Sequence, residues 1–363
     1  MLRILIGRAR SGKSSRILRE IAEKGDTGRQ ILIVPEHASY QAEVDLCTAC
    51  GATASRHAEV LSFRRLAVRV LSVCGGLSEV ALDAGGKLLT LHKVLCEVGP
   101  ELKVYRSTPK RLAFLEQMVA LFDEFISYAL TPETLWAQAA DLPGAMGEKL
   151  RDLAVIYAAY TARLHRPGQD ARDLISRLCE HLEESAYLKD ADLYIDGFSY
   201  FNAQEQTILA TALRQARSMT VTLLGEKNSH SEIFEASLRT RDQLIRLAGR
   251  AGCPCELVYT AAEDPSPLGH LERCFFGPTQ PYTEPVGDAI RLLEADTPLT
   301  EVEQTAAEIV RLTAGGTFRY RDVTVAARNM DVYESVIEQV FERYGIPAYI
   351  SRRSDILETP LLA

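Results

Sequence analysis

Residues 7–14 read Gly7-Arg8-Ala9-Arg10-Ser11-Gly12-Lys13-Ser14, which fills every fixed position of the G-x-x-x-x-G-K-[ST] pattern. The apolar run 2–6 precedes the loop, and apolar residues recur at helical spacing in 15–21. A strand, a glycine loop and a helix in this order cradle phosphate groups, because the loop amides and the positive end of the helix dipole face one anion. Lys13 adds a point charge, and the Ser14 hydroxyl can bind Mg²⁺. The pattern predicts a nucleoside triphosphate site to which all eight residues contribute.

The overall composition narrows the class of protein. The chain has 363 residues, enough for two or three domains, and its 47% hydrophobic and 25% charged residues are ordinary for a globular protein. It has neither an apolar stretch of eighteen residues nor a secretion signal, so we expect no membrane contact and a cytoplasmic location. The net charge of −8 gives no global attraction to nucleic acid, so any DNA contact must come from local basic faces.

Eight cysteines are scattered along the chain, and only Cys47/Cys50 and Cys253/Cys255 lie close in sequence. A Cys-x-x-Cys pair can bind zinc or act in redox chemistry, but no second such pair or histidine pair accompanies it. We therefore expect Cys47 and Cys50 to be small buried hydrophobic residues on a helix.

The hydrophobic pattern divides the chain into regions. Up to about residue 75, strands at 2–6 and 30–34 alternate with helices at 13–24 and from about Ser39, which favours a parallel α/β sheet. From about 80 to 187 the periodicity is helical. One helical face follows a start signal at 107–109 and a second lies within 150–164; the residues that mark the two faces are Leu112, Leu115, Val119, Phe122 and Ile126, and Leu150, Leu153, Tyr157, Tyr160 and Leu164.

Strand patterns return after the helical region, at 193–196 and 219–225, so the simplest fold is one α/β domain with a helical insertion. The proline-rich stretch from Pro265 to Pro285 has the composition of a linker. A second α/β domain is predicted to open beyond it. Its predicted elements are a strand at 290–295, a helix at 301–313, a strand at 323–327, a helix at 331–344 and a strand at 347–350. The apolar end at 359–363 predicts a fragment of a longer protein.

Asp196 ends the apolar strand 193–196 and is the candidate acid that holds Mg²⁺ through water. Translocating ATPases usually place a glutamate after this residue to polarise the attacking water, but here the next residue is Gly197. The sequence therefore predicts binding chemistry without the usual hydrolytic base. A turn residue at a strand end is the structural alternative for Asp196.

The stretch Leu61-Ser62-Phe63-Arg64-Arg65-Leu66-Ala67 combines a hydroxyl, an aromatic ring and arginines. Arginines beside an aromatic residue suit a single-stranded nucleic acid with stacked bases, which makes Ser62, Phe63, Arg64 and Arg65 candidate DNA contacts. A solvated helix with Phe63 in the core explains the same pattern equally well.

Taken in order, five stretches resemble the AddB family, the B subunits of the bacterial ATP-dependent helicase/deoxyribonuclease AddAB. They are the loop at 7–14, then 34–36, 61–67, 194–205 and 320–328. The run Asp-Gly-Phe-x-x-Phe-x-x-Gln-Glu at 196–205 is the most specific of them. The resemblance covers essentially the whole chain and is to the N-terminal part of the family.

The resemblance implies a superfamily-1 helicase fold, in which a P-loop (RecA-like) sheet domain called 1A is split by a helical insertion called 1B and followed by a domain 2A. The implied boundaries are 1–78 and 188–285 for 1A, 79–187 for 1B, and 286–363 for the start of 2A.

The resemblance also implies a function: recombinational repair of broken duplex DNA in a heterodimer. The A subunit is the motor, whereas the B subunit adds a nuclease and recognises the Chi signal on single-stranded DNA. The nuclease and its iron–sulfur cysteines belong to the C-terminal part of the family, so none of the eight cysteines here is assigned to a cluster.

The family motifs map onto particular positions. Gly12, Lys13 and Ser14 match motif I, Asp196 matches motif II, and Arg328 matches the motif IV arginine that reaches the γ-phosphate of ATP. Residues 223–226 stand at motif III but lack its glutamine, and no adenine-reading glutamine precedes the first strand. A local alternative for Arg328 is a cap or an ion pair with Asp331.

Two other functions stay open at this stage. An autonomous P-loop phosphotransferase would need a compact lid within about 200 residues, whereas this chain inserts a helical segment and opens another α/β region. A pseudo-ATPase scaffold, in which the helical insertion binds protein, predicts no affinity for ATP.

Overall fold

The computed structural model describes residues 1–75, 82–106, 111–166, 169–170, 174–227, 232–261, 264–276 and 280–350. The chain divides into two compact units, Met1–Asp264 and Pro265–Ala363. The expected start signal at 107–109 and the apolar end at 359–363 lie outside the described residues.

Within the described part of the first unit, six parallel strands form one sheet in the order β3-β2-β6-β7-β1-β8. A short antiparallel pair, β4 and β5, stands apart from it. The strands are β1 (Leu2–Gly7), β2 (Gln30–Ile33), β3 (Glu59–Leu61), β4 (His165–Arg166), β5 (Gln169–Asp170), β6 (Asp192–Ile195), β7 (Ser218–Leu224) and β8 (Cys255–Tyr259).

Helices cover both faces of this sheet and join its strands. The helices of the first unit are α1 (Lys13–Lys24), α2 (Ser39–Cys50), α3 (Ala54–His57), α4 (Phe63–Cys74), α5 (Ala84–Val98), α6 (Leu112–Ser127), α7 (Pro132–Asp141), α8 (Gly144–Leu164), α9 (Leu174–His181), α10 (Ala203–Gln215) and α11 (Glu235–Arg250). Short 3₁₀ helices are found at Glu36–Ala38, Gly51–Thr53, Gly99–Glu101 and Glu232–Phe234.

Strand β1, which lies between β7 and β8, is apolar along most of its length because both of its faces are buried. Ile4 and Ile6 point into the core formed with α4, α9, α10 and α11. Leu5 points the other way, where Ile17 and Ile21 of α1 pack against it. This alternation follows from the two-residue repeat of a strand.

The helices α5 to α8 share a separate core built around Phe122, Tyr157 and Tyr160. Helix α9 does not join them, since Leu178 packs into the sheet core. In chain order, the helices α5 to α8 are thus inserted between β3 and β6, which are strands of the same sheet.

In the second unit the described residues form the helices α12 (Pro267–Cys274), α13 (Pro298–Ala314) and α14 (Met330–Tyr344), with a 3₁₀ helix at Tyr320–Asp322. Val302, Ile309 and Phe341 form the core between α13 and α14. Helix α12 lies within the stretch that was expected to be a linker, because Ser266 caps its first turn and Pro267 is tolerated at its first position.

The strands predicted at 290–295, 323–327 and 347–350 are wrong as strands. Val323 has an extended backbone, but an extended segment becomes a strand only when a neighbour supplies its hydrogen bonds, and the described residues of this unit offer none. The predicted α/β class is confirmed by the parallel sheet of the first unit.

Two further predictions can be compared with the structure: the burial of the cysteines and the lack of a membrane-spanning segment. Cys47 was expected to be buried but is exposed, because it lies on the outer side of α2, whereas Leu46 packs inward. Within the described ranges, no helix is long and apolar enough to cross a membrane.

Candidate nucleotide-binding site

The loop between β1 and α1 has the backbone of a tight strand-to-helix turn. Gly12 precedes α1 with φ of 80°, a left-handed conformation that glycine adopts without steric cost. Arg10 also has a positive φ, of 58°, which is uncommon for a residue with a side chain. No side chain caps α1 and no acidic residue lies in its first turn, so its first amides face the loop with the positive end of the helix dipole.

Lys13 reaches back over this loop and is buried. Its Nζ donates to the carbonyl oxygens of Gly7 and Arg8, both at 2.7 Å, and to Ser11 Oγ at 3.2 Å. The ammonium group is therefore held beside the loop backbone. Ser14, the next residue, is exposed.

Asp196 follows β6 directly and is half-buried. Its backbone N–H donates to Ile33 O at 3.0 Å, and the buried Thr222 hydroxyl donates to its carboxylate. Because β7 lies between β6 and β1, Asp196 and the loop are about two strand spacings apart, roughly 10 Å. Both lie at the carboxyl edge of the sheet, where ligands of parallel sheets bind.

Two neighbouring strands hold the start of the loop. Gly225 N–H, just after β7, donates to Gly7 O at 3.2 Å. Thr260, just after β8, donates its N–H to Ile6 O at 2.7 Å and lies 2.9 Å from Ser11 through its hydroxyl. Sequence reasoning missed Thr222 and Thr260, since a threonine near a strand end carries no specific signal.

Arg8 connects the loop with the segment after β7. Its guanidinium pairs with Glu226 at 3.0 Å and stacks over the Phe234 ring at 5.3 Å. Glu226 belongs to the stretch 223–226, so an ion pair joins that stretch to the loop. Ala9 and Arg10 are exposed.

Of the four candidate DNA contacts, Ser62 and Phe63 are buried. Ser62 caps α4 by accepting from Arg65 N–H, and it donates to Glu36. The ring of Phe63 packs edge-on against Phe198 at 5.4 Å, so it offers no face on which a base could stack. Phe63 is therefore a core residue, as in the alternative interpretation of a solvated helix with Phe63 in the core.

Arg64 and Arg65 lie on the exposed side of the same helix. Arg65 pairs with Glu43 at 2.7 Å, in an ion pair whose two side chains are about half exposed. Among the described residues, Arg64 has no ion-pair partner. These two arginines are the part of the stretch that solvent or a ligand can reach.

The run 196–205 folds as a structural turn. Gly197 has φ of 82°, and Phe201 packs against Phe198 and Phe63. Asn202 and Glu205 form a capping box at the start of α10. Burial raises the pKa of Glu205, although the Asn202 amide partly offsets this effect. The most specific stretch of the sequence thus positions Asp196 and ties it to α4.

Arg328 belongs to the second unit, where it is exposed at a bend before α14. Asn329 caps that helix by accepting from Asp331 N–H. Within the described residues, Arg328 makes no ion pair with Asp331.

Comparison with known proteins agrees with these motifs. The sequence model of the family described as "ADDB, N-terminal" matches residues 4–272. The chain is 32% identical over 377 residues to the B subunit of the ATP-dependent helicase/deoxyribonuclease of Thermoanaerobacter sp. (strain X514), and the match covers 99% of this chain and 33% of that protein. The protein of the same name from Desulforudis audaxviator is 32% identical over 381 residues, with the same coverage.

Another protein of that name, from Clostridioides difficile, is 30% identical over 381 residues, again covering 99% of this chain and 33% of the relative. The chain thus spans about a third of the length of the curated relatives that it matches. With the family match over most of its length and relatives at 30% identity or above, the chain belongs to the AddB family and corresponds to its N-terminal region.

Proposed function

We propose that this chain is the nucleotide-binding, helicase-like N-terminal region of the B subunit of an ATP-dependent helicase/nuclease. The observation that carries the proposal is Lys13, held over an uncapped helix N-terminus at the carboxyl edge of the sheet. Asp196 lies at that same edge. In this proposal the split sheet is domain 1A (1–78 and 188–285), the helical segment is 1B (79–187), and 2A begins at 286.

The residues of the loop fit Mg-ATP. Backbone amides of 8–14 would bind the β- and γ-phosphates, and the ammonium of Lys13 would exchange a loop carbonyl for a phosphate oxygen. Ser14 would bind Mg²⁺ through its exposed hydroxyl and Asp196 would hold it through water. Arg328 keeps the nucleotide-binding role that the resemblance to motif IV implies for it. Bound Mg²⁺ supplies charge neutralisation on the phosphates.

The names of the relatives, which describe B subunits of ATP-dependent helicase/deoxyribonucleases, support the rest of the proposal. The partner is the A subunit, and the substrates are broken duplex and single-stranded DNA in the cytoplasm. We propose that the B subunit recognises Chi and guides the single strand rather than acting as the motor. Arg64 and Arg65 are the exposed candidates for backbone contact within this chain.

The test is the affinity of the purified chain for Mg-ATP, measured by calorimetry, in the wild type and in Lys13→Ala. Hydrogen bonds to a charged group contribute about 1.5–3 kcal/mol, so we expect binding to weaken by roughly 10- to 100-fold. Lys93→Ala, which removes an exposed lysine of α5, is the matched control and should bind as the wild type does. Circular dichroism checks that both variants are folded.

Each possible result has a clear meaning. If Lys13→Ala and the wild type bind Mg-ATP with equal affinity, the loop is not the nucleotide-binding site. A folded wild type that does not bind Mg-ATP favours a protein-binding scaffold. Transfer of phosphate to a small molecule by the chain alone favours an autonomous phosphotransferase.

A further inference from the structure

Thr260 lies directly after the edge strand β8, and its side chain contacts the phosphate-binding loop. It follows the last residue of β8, and β8 pairs with β1 in parallel up to Ile6 and Tyr259. Its N–H continues this ladder by donating to Ile6 O at 2.7 Å. The backbone of Thr260 is thereby fixed against Ile6, the residue that precedes the first glycine of the loop.

The side chain of Thr260 makes a second connection. Its hydroxyl donates to Ile6 O at 3.3 Å and lies 2.9 Å from Ser11 Oγ. In the bond between the Thr260 and Ser11 hydroxyls, either oxygen can be the donor. Ser11 in turn accepts from Lys13 Nζ at 3.2 Å. A chain of hydrogen bonds thus connects the Lys13 ammonium through both hydroxyls to the β1 backbone.

The first glycine of the loop shows how closely the two segments approach. A Cβ atom on Gly7 would overlap Thr260 Oγ1 and Ser11 Oγ, and it would lie 2.7 Å from Thr260 O. Gly7 is not in a left-handed conformation, so close approach, and not backbone strain, requires a glycine here. The loop therefore cannot change its path near Gly7 without displacing Thr260.

We propose that Thr260 is a positioning residue for the phosphate-binding loop: its hydroxyl sets Ser11 and, through Ser11, the Lys13 ammonium in the geometry that receives a phosphate group. This inference rests on the proposed function, because it assigns a role in nucleotide binding. Thr260 itself touches no phosphate in this proposal. Its effect is to keep the loop in one conformation, so that binding does not have to order it.

The experiment compares Thr260→Val, which keeps the branched shape without the hydroxyl, with Thr260→Ser, which keeps the hydroxyl. The matched control is Thr220→Val, a buried threonine of β7 whose hydroxyl accepts from Arg3 at 3.1 Å at the opposite end of β1. Affinity is measured by calorimetry with Mg-ATP and with magnesium and inorganic triphosphate. The second ligand has no nucleobase, so its affinity reports on the phosphate-binding loop alone. Thermal unfolding is recorded for each variant.

We expect Thr260→Val to weaken the binding of both ligands on the order of fivefold, as for the loss of one hydrogen bond. Thr260→Ser should stay within twofold of the wild type, and Thr220→Val should leave affinity unchanged. Wild-type binding with equal or tighter binding by Thr260→Val overturns the inference, as does a Thr260→Ser variant as weak as Thr260→Val. Absence of binding by the wild type overturns the proposed function instead, so the two failures are distinguishable.

Discussion

At the scale of single residues, Gly197 has a backbone conformation that bears on the chemistry proposed for the carboxyl edge of the sheet. It directly follows Asp196, at the position where translocating ATPases usually carry a glutamate. Its φ of 82° is left-handed, and a Cβ atom there would lie 3.3 Å from Pro35 Cδ. The backbone of this turn is therefore suited to glycine, and a larger side chain at this position is strained.

We expect the purified chain to turn over ATP far more slowly than the ~10 s⁻¹ that is typical of enzymes, with or without single-stranded DNA. Gly197→Glu should not raise this rate and should lower the melting temperature, since a left-handed residue with a side chain costs about 1–2 kcal/mol. Gly197→Asn is the control, because asparagine tolerates this conformation better. A phosphate-release assay checks the rates, and turnover at helicase-like rates would contradict the prediction.

At the scale of elements, α8 organises the helical segment. The buried carboxylate of Asp152 accepts from the backbone N–H groups of residues 103–105. One turn further on, the Tyr157 hydroxyl donates to Leu130 O at 3.1 Å. Tyr160 is fully buried against Phe122, and its hydroxyl has no hydrogen-bond partner within the described part of the chain.

We expect Tyr160→Phe to be neutral or to raise the free energy of unfolding by about 1 kcal/mol, because it removes a desolvated hydroxyl that makes no hydrogen bond. Tyr157→Phe is the matched variant on the same helix and should lower that free energy by about 1 kcal/mol, since it leaves Leu130 O without its donor. Urea unfolding followed by circular dichroism measures both. If Tyr160→Phe lowered the free energy of unfolding as much as Tyr157→Phe does, the Tyr160 hydroxyl could not be the group without a hydrogen bond.

At the scale of the whole molecule, Asp192 ties the sheet to its helices at the edge opposite the loop. It is the first residue of β6 and is 1% exposed. Burial alone would raise the pKa of its carboxyl group, but hydrogen bonds from Arg217, Ser218 and Lys24 outweigh burial and hold that pKa well below its usual range. Lys24 ends α1 and lies 3.0 Å away, so one carboxylate joins a helix and two strands.

This network predicts the acid sensitivity of the first unit. The folded pKa lies below the unfolded value of about 4, so the stabilisation is complete above pH 4 and is lost as the pH falls below it. Asp192→Asn should lower the free energy of unfolding at pH 7 by roughly 1.5–3 kcal/mol, because Ser218 and the half-exposed Lys24 and Arg217 lose a charged acceptor.

The gap between wild type and Asp192→Asn should narrow below pH 4. Urea unfolding at several pH values, followed by the fluorescence of Trp136 in the first unit, measures this gap. The control is Asp190→Asn, which changes an exposed neighbour in a left-handed conformation that asparagine also adopts. A gap that stays constant from pH 7 to pH 3 would contradict the assignment.

Local features were predictable where the chain supplies its own constraints. Helix α1 begins at Lys13 and α2 at Ser39, as predicted. For α1 the constraint is local, because the left-handed Gly12 precedes the helix and Ile17 and Ile21 lie on one buried face. Strands β3 and β8 were not predicted, and three predicted strands of the second unit were wrong. Strands depend on neighbours that are distant in sequence, so an apolar run of four or five residues does not specify one.

The sequence by itself determined the strand, glycine loop and helix of residues 2–24, since the left-handed Gly12 and the helical face of α1 are local properties. Tertiary structure alone decided that β7 separates Asp196 from the loop, that Phe63 is buried, and that Thr222 and Thr260 reach the site. The physical reason is strand order. Hydrogen bonds between strands bring together residues up to 254 positions apart, as from Thr260 to Ile6, and no local pattern encodes that pairing.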